Sequence, residues 1–339
     1  MSVYLALIVA GSVLGLMLTP LVTKTSVALG LVDAPGGRKV HSRSVPRLGG
    51  VAVALAATLA FVGIDWMARS QGASMPSVGP MAPILGGVAL VFALGLIDDI
   101  RPLSVWLKIS VQLLAAALVA ASGLLIERLT IGGHTWSLGA LSWPITIGWI
   151  VGLTNAFNLI DGIDGLAAGI AVISGITCAA ILIGRGHAAE AMMLAAVVGA
   201  ALGFLAYNFA PASIFLGDGG SLAFGFLLAT TAITGWQKGA TALAAGVPIL
   251  IFALPLADAS TTIARRMFRR PSAGAATVRG VLRQITEPDR EHIHHRLMAL
   301  GWSMPRTVLL LYGVEVTAAN ARLRRHRPDE IPAAPAPRT

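Results

Sequence analysis

The sequence predicts an all-α, polytopic transmembrane helix bundle of about ten spans, with a small β-hairpin on its outer face. Three observations lead there. Hydrophobic residues make up 55% of the 339 and charged residues only 12%, about half the share usual in soluble domains. The mean hydropathy of +0.77 is too high for a chain that must hide its apolar surface from water. The apolar residues also fall in runs near the ~20 that a bilayer crossing needs, and basic residues concentrate in every second loop between them.

The runs in order are 3–22, 50–67, 81–97, 103–125, 141–153, 165–183, 189–207, 222–235, 240–263 and 307–316. The first has no basic segment ahead of it and no small-residue cleavage site behind it, so it reads as a retained span. The fifth is short, and it can extend through the polar residues after it if other helices bury it. Glycine-rich stretches, such as 86–87 and 199–203, fit helices packed closely through small residues. Residues 130–141, with Gly132-Gly133 and alternating apolar positions, read as the outer hairpin. The last run has ten apolar residues, ~15 Å of helix, which is half a hydrocarbon core. Residues 1–317 are expected to form one integral membrane domain, and the Pro/Arg-rich residues 318–339 a disordered polar tail.

Loops 23–49, 98–102, 154–164, 208–221 and 264–306 fall on one face. They carry Lys24, Arg38, Lys39, Arg43, Arg47, Arg101 and an arginine-rich run from Arg265 to Arg306, with Lys108 just inside the fourth span. The opposite loops hold Arg69, Arg128, Arg185 and Lys238. The positive-inside rule puts the first set in the cytoplasm. It also explains the net charge of +9 as membrane anchoring rather than nucleic-acid binding. Cys178 is the only cysteine, so there is no disulfide framework.

Every unusual polar cluster lies in the cytoplasmic set. In the first loop, Lys39, His41, Arg43 and Arg47 can hold phosphates beside Gly36-Gly37, although charge alone fits an anchor equally well. Asp98 and Asp99 end the third span, where adjacent carboxylates need a cation or donors. Mg²⁺ takes one or two carboxylates plus phosphate oxygens. A prenyl-diphosphate synthase pair would need a further Asp where Pro102 stands. Asn155 and Asn158 are three residues apart, as are Asp161 and Asp164, so each pair shares a face of a helix or turn. These four oxygen-bearing side chains are hard to explain as packing, and helix capping is the plainer alternative. Asp218 lies in a glycine-rich turn, and Ser221 can cap the span after it; a free helix start favours phosphate. In the last loop His292, His294 and His295 stand beside Arg290 and Arg296. Diphosphate or sugar binding fits them better than zinc, because His294 is off the face the other two share and no Cys supports a site. Asp258, near the end of the ninth run, is either functional or the partner of Arg265 or Arg266.

In this order, RKVHSRSVPRLGG, LIDDIRP, NAFNLIDGIDGLAAG, FLGDGGS, PLADASTTIARR and HIHHRL resemble the polyprenyl-phosphate N-acetylhexosamine-1-phosphate transferase family over residues 3–302. The resemblance implies a transferase that moves a sugar 1-phosphate from a UDP-sugar to undecaprenyl phosphate at the cytoplasmic face of the bacterial inner membrane and releases UMP. HIHHRL, lacking three consecutive histidines, looks like the branch using UDP-N-acetylglucosamine. The family pattern implies that Asp98 and Asp99 serve the attacking lipid phosphate. It implies that Asp218 and Asn158 hold Mg²⁺, with Mn²⁺ as a substitute. It further implies that Asp161, Asp164 and the loop of His292, His294, His295 and Arg296 shape the nucleotide-sugar site, with Lys39, His41 and Asn155 beside them as substrate-binding candidates. Expected partners are the UDP-N-acetylhexosamine, the polyprenyl phosphate lipid and the membrane, with a homodimer left open and no nucleic acid. Members of that branch continue through one or two full final spans, so the C-terminus reads as shortened. A transporter with intramembrane acids and an inactive paralogue are the competing classes. Transporter acids sit near the midplane, whereas these cluster at span ends.

Overall fold

A computed structural model describes residues 2–33, 44–131, 134–237, 252, 255–257, 297 and 301–323. The described helices are α1 (Ser2–Ala28), α2 (Gly49–Ser70), α3 (Ala82–Ile100), α4 (Val105–Ala121), α5 (Ser142–Ile160), α6 (Leu166–Gly184), α7 (Ala188–Asn208), α8 (Gly217–Gln237) and α9 (Met304–Leu323). Six of these are long and apolar enough to cross a membrane, and α4 is a shorter apolar helix. At 1.5 Å per residue, a 22-residue helix such as α2 spans ~33 Å, enough for the hydrocarbon core.

The core lies where α6 and α7 pack against each other, with α1 and α2 on α7, α8 against α3, α5 and α6, α4 against α3 and α5, and α9 on α6. The outer helices α1, α2 and α4 turn Leu5, Leu16, Leu55, Leu59, Leu114 and Leu118 outward. That is the surface lipid requires. Exposed tryptophans mark both ends: Trp66, Trp136 and Trp143 at one, Trp106 and Trp302 at the other. Such amphipathic rings favour the headgroup level.

Two small antiparallel ribbons complete the fold. β3 (Arg128–Ile131) pairs with β4 (His134–Ser137) as the expected outer hairpin, beginning two residues earlier than its predicted start. β1 (Val32–Asp33) pairs with β2 (Val45–Pro46) at the base of the loop between α1 and α2, which hydropathy does not foresee.

Three boundaries differ from the hydropathy reading. Helix α5 continues through Asn155 and Asn158 to Ile160, because neighbouring helices bury its polar end. Helix α8 starts at Gly217, so Asp218 sits in its first turn and Ser221 lies inside the helix rather than capping it. Helix α9 runs for 20 residues where ten were apolar, because the polar residues after Val316 keep the helical backbone. The span expected at 240–263 falls almost wholly outside the described residues, as do Asp258 and residues 324–339.

Helices α1 and α7 meet backbone to backbone. Gly11 and Gly15 lie over residues 196–204, a Cβ at Gly203 would overlap the Ser12 carbonyl, and Ser12 Oγ donates to the Gly199 carbonyl at 3.1 Å. Lipid offers no hydrophobic drive between helices, so this closeness is what holds α1. Gly203→Val should therefore lose on the order of 2 kcal/mol, read as a lower melting temperature in detergent. Gly63→Val, facing open space on α2, should melt like the parent. Equal melting of both variants would show that close packing does not secure α1.

Candidate active site

The site forms at one end of the bundle, where α3 and α5 end and α4, α6 and α8 begin. Pro102 forces its predecessor out of helical conformation, and Arg101 is extended at φ −142°, ψ 116°. Helix α3 thus stops at Ile100, directly after Asp98 and Asp99. Ser104 then caps α4, its oxygen accepting from the Leu107 N–H at 3.3 Å. The tight turn delivers Lys108 back toward the acids of α3.

Lys108 Nζ donates to Asp98 Oδ2 at 3.0 Å and to Asp218 Oδ2 at 2.9 Å. The carboxyl groups of Asp98 and Asp218 are themselves within hydrogen-bonding reach. The ammonium bridges both carboxyl groups and offsets the repulsion between such close acids in a partly dehydrated site; the Lys108 side chain is only 22% exposed. Asp98 Oδ1 is fixed by the Leu103 N–H at 2.6 Å.

Asp99, adjacent in sequence, is engaged differently. Its two oxygens accept the Asp218 N–H at 2.9 Å and the Gly219 N–H at 3.1 Å. These are unpaired donors of the first turn of α8, where a negative charge also meets the positive end of the helix dipole. The approach needs small residues. Gly217 has φ +80°, and a Cβ on Gly95 would come within 2.5 Å of the Asp218 carbonyl.

The first loop ends beside this helix start. The Gly49 and Gly50 N–H groups donate to Phe215 and Leu216 carbonyls at 2.9 and 2.7 Å, and Phe215 N–H donates to Pro46 at 2.8 Å. Arg47, expected among the phosphate-binding cations, is paired with Asp33.

On α5, Asn158 faces the Asp218 carboxylate, and its amide nitrogen donates to Ser221 Oγ at 3.1 Å. Asn155, one turn earlier, is turned to other work: its nitrogen donates to Gln112 of α4 and to the Val151 carbonyl at 2.8 Å. Asp161 accepts the Gly217 N–H and feels the charges of Asp218, Asp99 and Asp164. Burial first, then those neighbours, pushes its carboxyl well above the usual carboxylate range. Asp164 Oδ2 accepts the Ala212 N–H at 2.8 Å, tying the α5–α6 turn to the segment before α8.

Of the residues singled out in the sequence, Asp98, Asp99, Asn158, Asp161 and Asp218 converge. Asp164 and Asn155 flank them. Lys39, His41, His292, His294, His295 and Arg296 lie outside the described residues. Sequence reasoning counted Lys108 only as a topology marker. Its signal was present: a lysine inside an apolar span needs a partner, and the nearest acids are Asp98 and Asp99. Gln112, on the same face one turn further, had no such signal.

Among the described residues no three carboxylate or imidazole groups converge to form a cage. What stands together is the Asp218 carboxylate and the Asn158 amide, within a cluster where Lys108 pairs with Asp98 and Asp218 and where Asp99 and Asp161 lie beside Asp218. Oxygen donors with few protein carboxylates and surplus negative charge fit Mg²⁺, which fills its remaining positions with water and substrate phosphate.

The fold and this cluster define a polytopic membrane protein with an acid-rich site at one end of its helix bundle, and the comparisons give its family. The model for glycosyl transferase family 4 matches residues 81–236, which hold every acid of the cluster. The chain belongs to this family, the polyprenyl-phosphate N-acetylhexosamine-1-phosphate transferases. A Bacillus subtilis protein named "Probable undecaprenyl-phosphate N-acetylglucosaminyl 1-phosphate transferase" is 36% identical over 299 residues, 88% of this chain and 78% of that protein. The decaprenyl-phosphate N-acetylglucosaminephosphotransferase of Mycolicibacterium smegmatis is 33% identical over 307 residues, 85% of this chain and 73% of that one. A phospho-N-acetylmuramoyl-pentapeptide-transferase of Streptococcus thermophilus is 33% identical over a shorter 219 residues, 58% of this chain and 63% of that protein.

Asp99→Ala and Asp99→Asn both remove the charge, but only the second leaves an acceptor for the start of α8. The alanine variant should melt lower than the asparagine variant by the cost of a lost helix cap, about 1 kcal/mol. Coincident melting curves would show that α8 does not depend on Asp99 for its first turn.

Proposed function

We propose that the chain transfers N-acetylglucosamine 1-phosphate from UDP-N-acetylglucosamine to undecaprenyl phosphate, releasing UMP, at the cytoplasmic face of the bacterial inner membrane. The observation that carries this reading is Lys108 held between Asp98 and Asp218 within an acid cluster at one end of the helix bundle. The names of the relatives over most of their length support the sugar and the polyprenyl acceptor. HIHHRL in place of three consecutive histidines supports the N-acetylglucosamine donor over the muramoyl-pentapeptide one. The concentration of basic residues in the site-side loops supports the cytoplasmic face.

In this reaction a lipid-phosphate oxygen attacks the β-phosphorus of the donor. The bond from that phosphorus to the bridging oxygen breaks, and its electron pair leaves with UMP. Two anionic substrates must be brought together, so charge compensation and placement dominate the barrier. Lys108 supplies a fixed positive charge, and Asp98, pinned by the Leu103 N–H, aims it. Asp98 orients the acceptor more than it deprotonates it, because a phosphate monoester is already mostly ionised near pH 7. Asn158 and Asp218 would hold Mg²⁺, which would supply positive charge to offset that of the diphosphate. Asp99 keeps the start of α8, and so Asp218, in register with α3. Asp161 and Asp164 shape the donor side, together with the loop of His292, His294, His295 and Arg296.

The test is UMP release by the purified full-length protein in detergent, with UDP-N-acetylglucosamine and undecaprenyl phosphate. Release should require both the lipid and Mg²⁺ and should stop with EDTA or Asp218→Ala. Lys108→Gln should lower kcat by about a hundredfold or more, the scale of losing one preorganised charge at a reacting group. UMP release that ignores the lipid, or full activity in Lys108→Gln, would overturn the reading.

A further inference from the structure

Helix α9 packs on α6 away from the acid cluster, yet one of its side chains reaches the cluster's backbone. Tyr312 Oη donates to the Gly165 carbonyl at 2.5 Å. Gly165 directly follows Asp164, and the same carbonyl accepts the Gly169 N–H at 2.9 Å, the opening hydrogen bond of α6. The phenol reaches it through a notch at Gly169, where any Cβ would overlap the tyrosine oxygen. From the other side, Asp161 accepts the Gly217 N–H and Asp164 accepts the Ala212 N–H. The turn from Asp161 to Gly165 is thus held between α8 and its leading segment on one side and α9 on the other.

We propose that Tyr312 is a positioning residue for the reaction, fixing through the Gly165 carbonyl the turn that presents Asp161 and Asp164 to the nucleotide-sugar. This rests on the proposed reading of that turn as the donor side of the site. The phenol touches neither substrate nor metal ligand; it acts by denying the turn a second position. A tyrosine suits this because its ring packs against α6 while its hydroxyl satisfies a carbonyl that already serves the helix. A tyrosine used only for packing would need no notch of this kind at Gly169.

Tyr312→Phe keeps the ring and removes the hydrogen bond. Ser174→Ala is the control: Ser174 Oγ donates to Glu315 Oε1 at 3.1 Å in the same α6–α9 interface, more than two turns further along α6. Amide hydrogen exchange of the full-length protein should quicken several-fold across residues 161–169 in Tyr312→Phe, the scale of one lost hydrogen bond. It should stay at the parent rate there in Ser174→Ala. In the UMP-release assay, Tyr312→Phe should raise the KM for the donor about three- to tenfold and leave the lipid KM unchanged. Ser174→Ala should lower the melting temperature and leave both KM values unchanged. Parent-like exchange at 161–169 in Tyr312→Phe overturns the proposal whatever the activity. A donor KM raised equally by both variants also overturns it, since the effect would then be helix packing alone. Absence of UMP release from the parent protein would instead sink the proposed reaction, while the exchange comparison still decides whether Tyr312 holds the turn.

Discussion

The Lys108 ammonium between Asp98 and Asp218 is the interaction on which the rest of the site depends. Three helices meet there: α3 brings one acid, α8 the other, and α4 the cation. Carboxylates crowded at a membrane edge repel strongly because little water screens them. One well-placed ammonium turns that repulsion into a contact that ties the three helices together.

Asp99 shows how neighbouring residues can divide labour. Its oxygens accept backbone N–H groups at the start of α8, and this places Asp218 opposite Asp98. The start of α8 is therefore held by a carboxylate of α3 rather than by a cap of its own. Such an arrangement requires close backbone approach, and the glycines at 95 and 217 permit it. On the far side of the cluster, the turn of Asp161 and Asp164 is pinned by backbone donors of the segment leading into α8. Both sides of the cluster thus converge on the first turn of one helix, although the residues come from separate stretches of chain.

Much of this was legible in the sequence. Hydropathy located the apolar cores of the described helices, since lipid demands long apolar runs. Alternating charge put loops 98–102, 154–164 and 208–221 on one face, and their acids do meet. The strands of the expected hairpin are present, with Arg128 paired to Ser137. Helix ends were less legible. Hydropathy stops at the first polar residues, but α5 and α8 carry polar residues where other helices pack on them, and α9 continues through the exposed Thr317 and Asn320. Lys108 was read as a marker of sidedness because charge counting treats every lysine alike, whatever its partners.

The sequence by itself determined the class of the protein: a membrane bundle with an acid-rich face and the motifs of a phosphosugar transferase. Composition, run length and motif order are properties of the linear chain, and each has a direct physical consequence. Only the tertiary structure decided which polar residues work together. It separated Asp98 from Asp99, turned Asn155 toward Gln112 and Asn158 toward Asp218, and brought Tyr312 of the last described helix to the turn after Asp164. Those contacts join residues up to 147 positions apart. Helix rotation and packing depth set them, and no local pattern of the chain records either.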